Sequence, residues 1–561
     1  MQETRVPVYE ALAADIKELG VECVFGLMSD DTAQLIAMID SVGVRFYGAR
    51  HENNAVSMAE GYAAATGRLG IVIIGRGPAT TNSMNGANYA NRTGSPVLMI
   101  YGDAPNVEKA ANSVGPDRKS LDTMALLHAA GIKTFRANDA VTARRTFVQA
   151  AAAAQHGAAA LLLPSNVQQA QVDPAATAPG SFEAAKYTPQ PARDSALQAA
   201  VSLLEKSRKP LIIAGIGAHA AGAREEIIRL ADHIGAALVT TMKAKDMFRD
   251  HPFNCGILGS FSNVGGRRLI EQADCVIAIG ASLNQQTTSF ATAIPEGLPV
   301  IHIDKNRPNI GRWFDADLGL VGDAKLITEQ LLEKLPSRNT SEMEMRSEEN
   351  ERWLADFSLA DDFEAMNTPR TMDARSLALE LNSLLPADRN LVWDSGNMLG
   401  TVPYISCPGP SHFKHTGDSA SIGMGFGTAM GFAAGTPDRT TVLLMGDGSF
   451  LMNMGELETV AREYIPLVIV LMNDCAYGAE LHFLQDRGMP VQLSQFPDID
   501  FAPVAESFGF EAFTVRTLNE LRALAPTLGN PDGPVFLDCK INASVVAAFM
   551  HEGPAHAAEK P

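Results

Sequence analysis

Two acidic residues, each closing an apolar run, are where chemistry first becomes legible in this chain. Asp447 stands in Gly446-Asp447-Gly448 after the run 441–445, and Asn473-Asp474 ends a second run, 466–472. Runs of this kind read as buried parallel strands, with the stretch 454–464 between them as the crossover helix. Both carboxylates then lie at the carboxyl ends of neighbouring strands, where doubly wound sheets hold their ligands. Two converging carboxylates on a glycine-opened backbone suit an oxygen-seeking cation. Magnesium on a diphosphate fits best, because that ion takes one or two carboxylates plus phosphate oxygens and water, and glycines let the backbone approach the phosphates. The competing reading is a pair of strand-end turns with solvated aspartates.

The elements that position these residues follow from the rest of the chain. Its 561 residues are too many for one core, and 46% hydrophobic against 19% charged residues is the composition of a globular protein. A net charge of −19 argues against nonspecific binding to nucleic acid or an anionic membrane. No apolar stretch approaches the roughly 18 residues of a spanning helix, and the first residues lack the layout of a signal peptide, so a cytoplasmic protein is expected. Six cysteines without CxxC spacing indicate neither a disulfide framework nor a zinc site. Linker-like stretches at 168–195 and 336–376 divide the chain into blocks at 1–180, 190–335 and 370–545, with a tail at 546–561 and a helix around 342–359 that stands apart. Short β-branched runs alternate with Ala-rich stretches in each block, which predicts an α/β protein of three doubly wound parallel-sheet domains.

The first and third blocks share a pattern. Gly61-Tyr-Ala-Ala-Ala-Thr-Gly leads to a strand and Gly75-Arg-Gly77, as Gly431-Phe-Ala-Ala-Gly-Thr-Pro leads to a strand and Gly446-Asp-Gly448. The span from Gly75 to Asp103 and that from Gly446 to Asp474 are both 28 residues. An internal duplication is the natural reading, and two like domains invite a ligand held between them.

Gly446-Asp447-Gly448, followed after 24 residues by Asn473-Asp474, resembles the diphosphate signature of thiamine-diphosphate enzymes, whose usual ending is Asn-Asn. Arg50-His51-Glu52, with Ala55, Met58-Ala59, Gly61-Tyr62-Ala63 and Thr66-Gly67, resembles the pyrimidine-domain signature of the acetolactate synthase group, within the superfamily that also holds benzaldehyde lyase and the 2-oxoacid decarboxylases. The resemblance covers nearly the whole chain and implies a pyrimidine-binding first block, a Rossmann-like middle block and a diphosphate-binding third block. It also implies thiamine diphosphate and magnesium as cofactors, and a homodimer or homotetramer whose sites are shared between subunits.

Thiamine diphosphate becomes a carbon nucleophile by losing a ring proton to its own amino group, and a carboxyl on the pyrimidine promotes the tautomer that does this. The resemblance gives that role to Glu52, whose apolar surroundings favour a shared proton. It places Ile422 as the wedge that bends the cofactor, with Met424 as the rival if the register slips by two, and Ala420 beside the pyrimidine. Gly396, Asn397 and Met398 resemble a second diphosphate loop. Pro78 and Asn82, in Gly75-Arg-Gly-Pro-Ala-Thr-Thr-Asn82, resemble the loop that packs on the pyrimidine. Gly446, Asp447, Gly448, Ser449 and Asp474 complete the diphosphate set, with magnesium on Asp447, Asp474 and Ala476.

The chain also departs from the family. Asp474 replaces an Asn, adding attraction for the cation and repulsion for the diphosphate. The stretch 118–128 carries neither the Gln nor the His pair that commonly lines these substrate pockets. Asp30 stands where decarboxylases of the superfamily carry an Asp near the substrate, so it is a candidate proton relay or, equally, a helix cap. In the middle block, Ala214-Gly-Ile-Gly217 and His302-Ile-Asp304 are weak signs of FAD or ADP, and a purely structural domain is the preferred reading. The expected reaction makes or breaks a carbon–carbon bond on a 2-oxoacid or 2-hydroxyketone. The alternatives are a diketone hydrolase using the same cofactor, a silent cofactor-binding scaffold and, without the resemblance, a dinucleotide-dependent dehydrogenase.

Overall fold

The computed structural model describes residues 5–106, 117–179, 187–339 and 343–552. Its frame is three six-stranded parallel sheets, one from each block. Numbered by chain order within each sheet, the strands of the first and third sheets both run 2-1-3-4-6-5. That shared order carries the predicted duplication from sequence into topology. The middle sheet runs 3-2-1-4-5-6, the order of dinucleotide-binding folds.

In the third sheet the strands Arg389–Trp393, Thr440–Gly446 and Leu467–Asn473 lie side by side, with Gly446 opposite Met472. All seven residues of Leu467–Asn473 are buried, as expected for a parallel strand covered by helices on both faces. The order reverses between Arg389–Trp393 and Thr440–Gly446, which opens a crevice at their carboxyl ends. The crossover differs from the single predicted helix. It consists of two helices, Asp447–Asn453 and Glu456–Glu463, so Asp447 begins a helix directly after the strand.

The first and third domains share one apolar core, in which Phe25, Tyr62 and Met99 belong with Phe426, Leu443 and Phe450. At its centre the helix Glu52–Thr66 lies on the helix Met424–Gly435, and glycines set the approach. A Cβ on Gly61 would fall 2.0 Å from the carbonyl oxygen of Thr428, and one on Gly431 would fall 1.9 Å from that of Met58. Backbones can come this close only where no side chain intervenes. The helix expected to stand apart at 342–359 is instead Glu348–Asp356, docked on the middle domain. Trp353 Nε1 donates to the Gly265 carbonyl at 3.0 Å, and the Arg268 guanidinium lies over the Trp353 ring. No described helix is long and apolar enough to cross a membrane.

Candidate active site

Strand pairing brings the two opening carboxylates together, as their spacing predicts. Asp447 is 2% exposed, and its Oδ1 has no hydrogen-bond donor among the described residues. Burial, and then the neighbouring Asp474, raise the Asp447 carboxyl well above the usual range, and burial raises Asp474 as well. Cys475, in the left-handed region at φ +56°, turns the chain so that the Ala476 amide donates to Asp474 Oδ1 at 3.2 Å. A buried carboxylate whose charge is disfavoured by burial and by its partly buried neighbour forms a site that a cation would relieve. The described residues hold no cluster of three or more His, Cys, Asp or Glu side chains able to bind a metal.

These groups edge a cavity of about 300 Å³. Gly446, Gly448, Ser449, Asp474 and Ala476 form one part of its wall, and Gly396, Asn397 and Met398 another. Gly396 adopts φ +136°, open to glycine and strained for other residues. Asn397 spends its side chain on the chain's end, accepting from the Ala547 amide and donating to the Val545 carbonyl, both at 2.9 Å. Ala420, left-handed at φ +52°, and Ile422 line the wall just before the helix Met424–Gly435. Of the two wedge candidates, Ile422 is on the cavity and Met424 is not. Met424 is 1% exposed, with its sulfur 3.5 Å from Ser57 Oγ and 3.8 Å from Asn53 Nδ2 in the interface between domains.

Asp394 has a part that its sequence context does not reveal. Fully buried, it accepts from the amides of Ser395 (2.8 Å), Gly423 (2.7 Å) and Gly425 (3.1 Å), from Thr416 Oγ1 (2.8 Å) and from Ser449 Oγ. One carboxylate thus fixes the turn carrying Ile422 to the helix that follows Asp447. Met242 and Gln286, from the middle domain, and Phe549, near the chain's end, also reach the wall, and no local motif marks them. Residues 553–561 of the expected tail lie outside the described residues.

In the first domain Glu52 opens its helix, 8% exposed, and its Oε2 accepts from Asn82 Nδ2 at 3.1 Å. Pro78 is the first residue of the helix that carries Asn82, entered through Gly77 at φ +64°. These three predicted residues are therefore brought together. The third domain holds the segment before Glu52 in place. Buried Glu456 accepts from the amides of Arg50 (3.0 Å) and His51 (3.1 Å) and from Asn54 Nδ2 (2.9 Å). Asp30 sits apart on an exposed loop, paired with Lys119, which holds its carboxyl below the usual range. It does not cap the following helix, whose N-cap is Thr32. The better shielded aspartate of this loop is Asp31, paired with Lys119 at 2.8 Å and Arg76 at 3.1 Å.

A second cavity, of about 490 Å³, lies where the middle domain meets the third, lined by Gly217, Gly280 and Asp304 together with His415 and Asp418. His415 is 5% exposed and neither ring nitrogen has a partner among the described residues; burial lowers its pKa to about 4, so the ring is neutral. The middle domain thus borders a cavity of its own beside the third.

Comparison with known proteins agrees with this architecture. Three family models match in chain order: the thiamine pyrophosphate enzyme N-terminal binding domain over residues 7–126, its central domain over 197–331 and its C-terminal binding domain over 394–539. Similar curated proteins include a probable acetolactate synthase large subunit of Methanocaldococcus jannaschii, 27% identical over 97% of this chain and 93% of its own length. Another, from Methanococcus aeolicus, is 26% identical over 90% of this chain and 87% of its own. The acetolactate synthase isozyme 2 large subunit of Escherichia coli is 25% identical over 94% of each. With all three domain models matched in order on a fold that repeats its first sheet in its third, the chain belongs to the thiamine pyrophosphate (thiamine diphosphate) enzyme family.

Proposed function

We propose that the protein is a thiamine-diphosphate- and magnesium-dependent carboligase, of the transferase and lyase kind, acting on a 2-oxoacid or 2-hydroxyketone. The observation that carries this reading is the pairing of functions across the fold. A buried carboxyl, Glu52, is kept at the start of one domain's central helix, and a two-carboxylate site is kept at the switch point of its counterpart. A scaffold that only bound the cofactor would have no use for Glu52. The acetolactate synthases to which the chain is similar over nearly its full length support carboligation over hydrolysis.

When bound, thiamine diphosphate supplies a carbon nucleophile for addition to a carbonyl. The chain's own residues prepare for it. Asp447, Asp474 and the Ala476 carbonyl would hold magnesium, and the amides beside Gly446 and Gly448 would meet the diphosphate. Asn82 occupies Glu52 Oε2, which leaves Oε1 to hold or accept a proton. Ile422, Met398 and Phe549 present apolar surface to the cavity and limit water there.

We further propose a homodimer or homotetramer in which Glu52 of one copy completes the cavity of another. In support, the described wall of the 300 Å³ cavity contains no residue of the first domain. A cytoplasmic setting suits six free cysteines, five of them buried. The test is to reconstitute the protein with thiamine diphosphate and magnesium, supply pyruvate, benzoylformate and several acyloins, and identify products by mass. Carbon–carbon ligation or cleavage that requires both cofactors is expected. Tight cofactor binding without turnover of any of these compounds would contradict the proposal.

A further inference from the structure

A third cavity, of about 250 Å³, opens between the middle and third domains, and the proposed reaction makes no use of it. Roughly eight waters would fill that volume, at about 30 Å³ each. Leu354, Phe357 and Leu359, from the docked helix Glu348–Asp356 and the residues after it, make part of its wall apolar. The charged residues on the wall are Lys245, Asp246 and Arg249, so it carries one positive charge in excess.

The polar groups of this wall are donors without acceptors. Lys245 is 3% exposed, and its ammonium, with three protons, pairs with Asp246 at 3.1 Å and with no other group among the described residues. Asp246 Oδ2 also accepts from the Cys407 amide at 2.9 Å. The side-chain oxygens of Asn254, Asn263 and Asn382 are taken up by the backbone amides of Gly256 (3.0 Å), Gly266 (2.7 Å) and Ser406 (3.0 Å). Those bonds fix which way each side-chain amide faces. They leave its N–H groups with no acceptor among the described residues. An ammonium and three amides that offer only donors call for a ligand that brings acceptors.

Two short connectors join this wall to the 300 Å³ cavity. The 3-10 helix Met242–Ala244 leads from Met242, on the 300 Å³ cavity, to Lys245 here. The 3-10 helix Asn397–Tyr404 has Asn397 and Met398 on that cavity and Pro403 and Tyr404 on this one, a span of about 14 Å at about 2 Å per residue. We infer that the 250 Å³ cavity is a regulatory site for a small aliphatic carboxylate, with Lys245 as its counter-ion, and that its occupation changes cofactor affinity in the 300 Å³ cavity. The carboxylate supplies acceptors and one negative charge, and its hydrocarbon part meets the apolar wall. Inorganic phosphate has nothing to offer that wall. A ligand held by Lys245 and Asn263 of the middle domain and Asn382 of the third ties the domains together at the far ends of both connectors, and so bears on where Met242 and Asn397 stand. The coupling, though not the binding, rests on the cofactor reading.

The test titrates the protein by calorimetry, with thiamine diphosphate and magnesium present, using isobutyrate, lactate, succinate and inorganic phosphate. None of the three carboxylates has a 2-oxo group for the cofactor to attack. Saturable binding of at least one of them, tighter than that of phosphate, is expected. Lys245→Met and Asn263→Asp should each weaken it by about tenfold or more, since each removes a donor to a charged group. Asn263→Asp keeps the oxygen that the Gly266 amide needs, so it leaves the local fold intact. Coupled sites commonly alter each other's affinity by about 5–150-fold, so saturating carboxylate should change the thiamine diphosphate affinity by about fivefold or more in wild type and not in Lys245→Met. Wild-type protein that binds none of the carboxylates, or binds phosphate more tightly, overturns the ligand assignment. Carboxylate binding unchanged in both variants overturns the site, and an unchanged thiamine diphosphate affinity overturns the coupling. If thiamine diphosphate does not bind at all, the cofactor reading and the coupling fall together, while the carboxylate site stands or falls on its own titration.

Discussion

At the scale of single residues, the two strand-end carboxylates are not equivalent. Asp447 is the more deeply buried, lacks a donor to Oδ1 and feels Asp474 as a repulsive neighbour; Asp474 already accepts an amide hydrogen bond from Ala476. Replacing Asp474 by Asn removes that repulsion and keeps an oxygen for the cation, so Asp474→Asn is expected to retain activity and magnesium dependence. Asp447→Ala should abolish both. Groups lying behind metal ligands are commonly worth about 10–100-fold in affinity, so loss of this ligand should weaken magnesium by roughly a hundredfold or more, measurable by calorimetry in the presence of thiamine diphosphate. Full activity in Asp447→Ala would remove the metal assignment. The carboxylates were legible because spacing and strand ends are local properties. Asp394 and Glu456 were not, since the contacts by which each ties distant segments together lie 22 or more residues away in the chain, and a lone acidic residue has no periodicity to mark that.

At the scale of elements, the two strands that end at the carboxylates could be placed to within a residue, because buried parallel strands are continuous apolar runs. The crossover was harder to read. A helix starting on Asp447 looks like a glycine loop when only Gly446-Asp447-Gly448 is seen. The matching Gly61 and Gly431 pointed to a duplication, and the structure adds their physical reason, the close approach of two helices that build the core between domains. Gly431→Ala puts a methyl group 1.9 Å from a backbone carbonyl that cannot swing aside. It is expected to cost about 1–3 kcal/mol or more, the usual penalty of overpacking, seen as a lower denaturation midpoint with an unchanged slope. An unaltered midpoint would mean that the two helices are free to separate. Met242 and Gln286 remained invisible for the opposite reason, because they arrive at the cavity from a different domain with no motif of their own.

At the scale of the whole molecule, the chain keeps Glu52 in the first domain and Asp447 in the third, and the described wall of the cavity beside Asp447 holds nothing from the first domain. If two copies exchange these groups about a two-fold axis, every site takes Glu52 from one chain and Asp447 from the other. The most direct measurement mixes two inactive variants, Glu52→Gln and Asp447→Ala, after dissociating and reassociating their subunits. In a random mixture half the dimers are hybrids, and each hybrid has one site with both native carboxyls. Activity should therefore return to roughly a quarter of wild type, an estimate from two-fold symmetry. A reassociated mixture as inactive as either parent would show that Glu52 and Asp447 serve the same chain's site, or no common site, and would contradict the shared thiamine diphosphate centre.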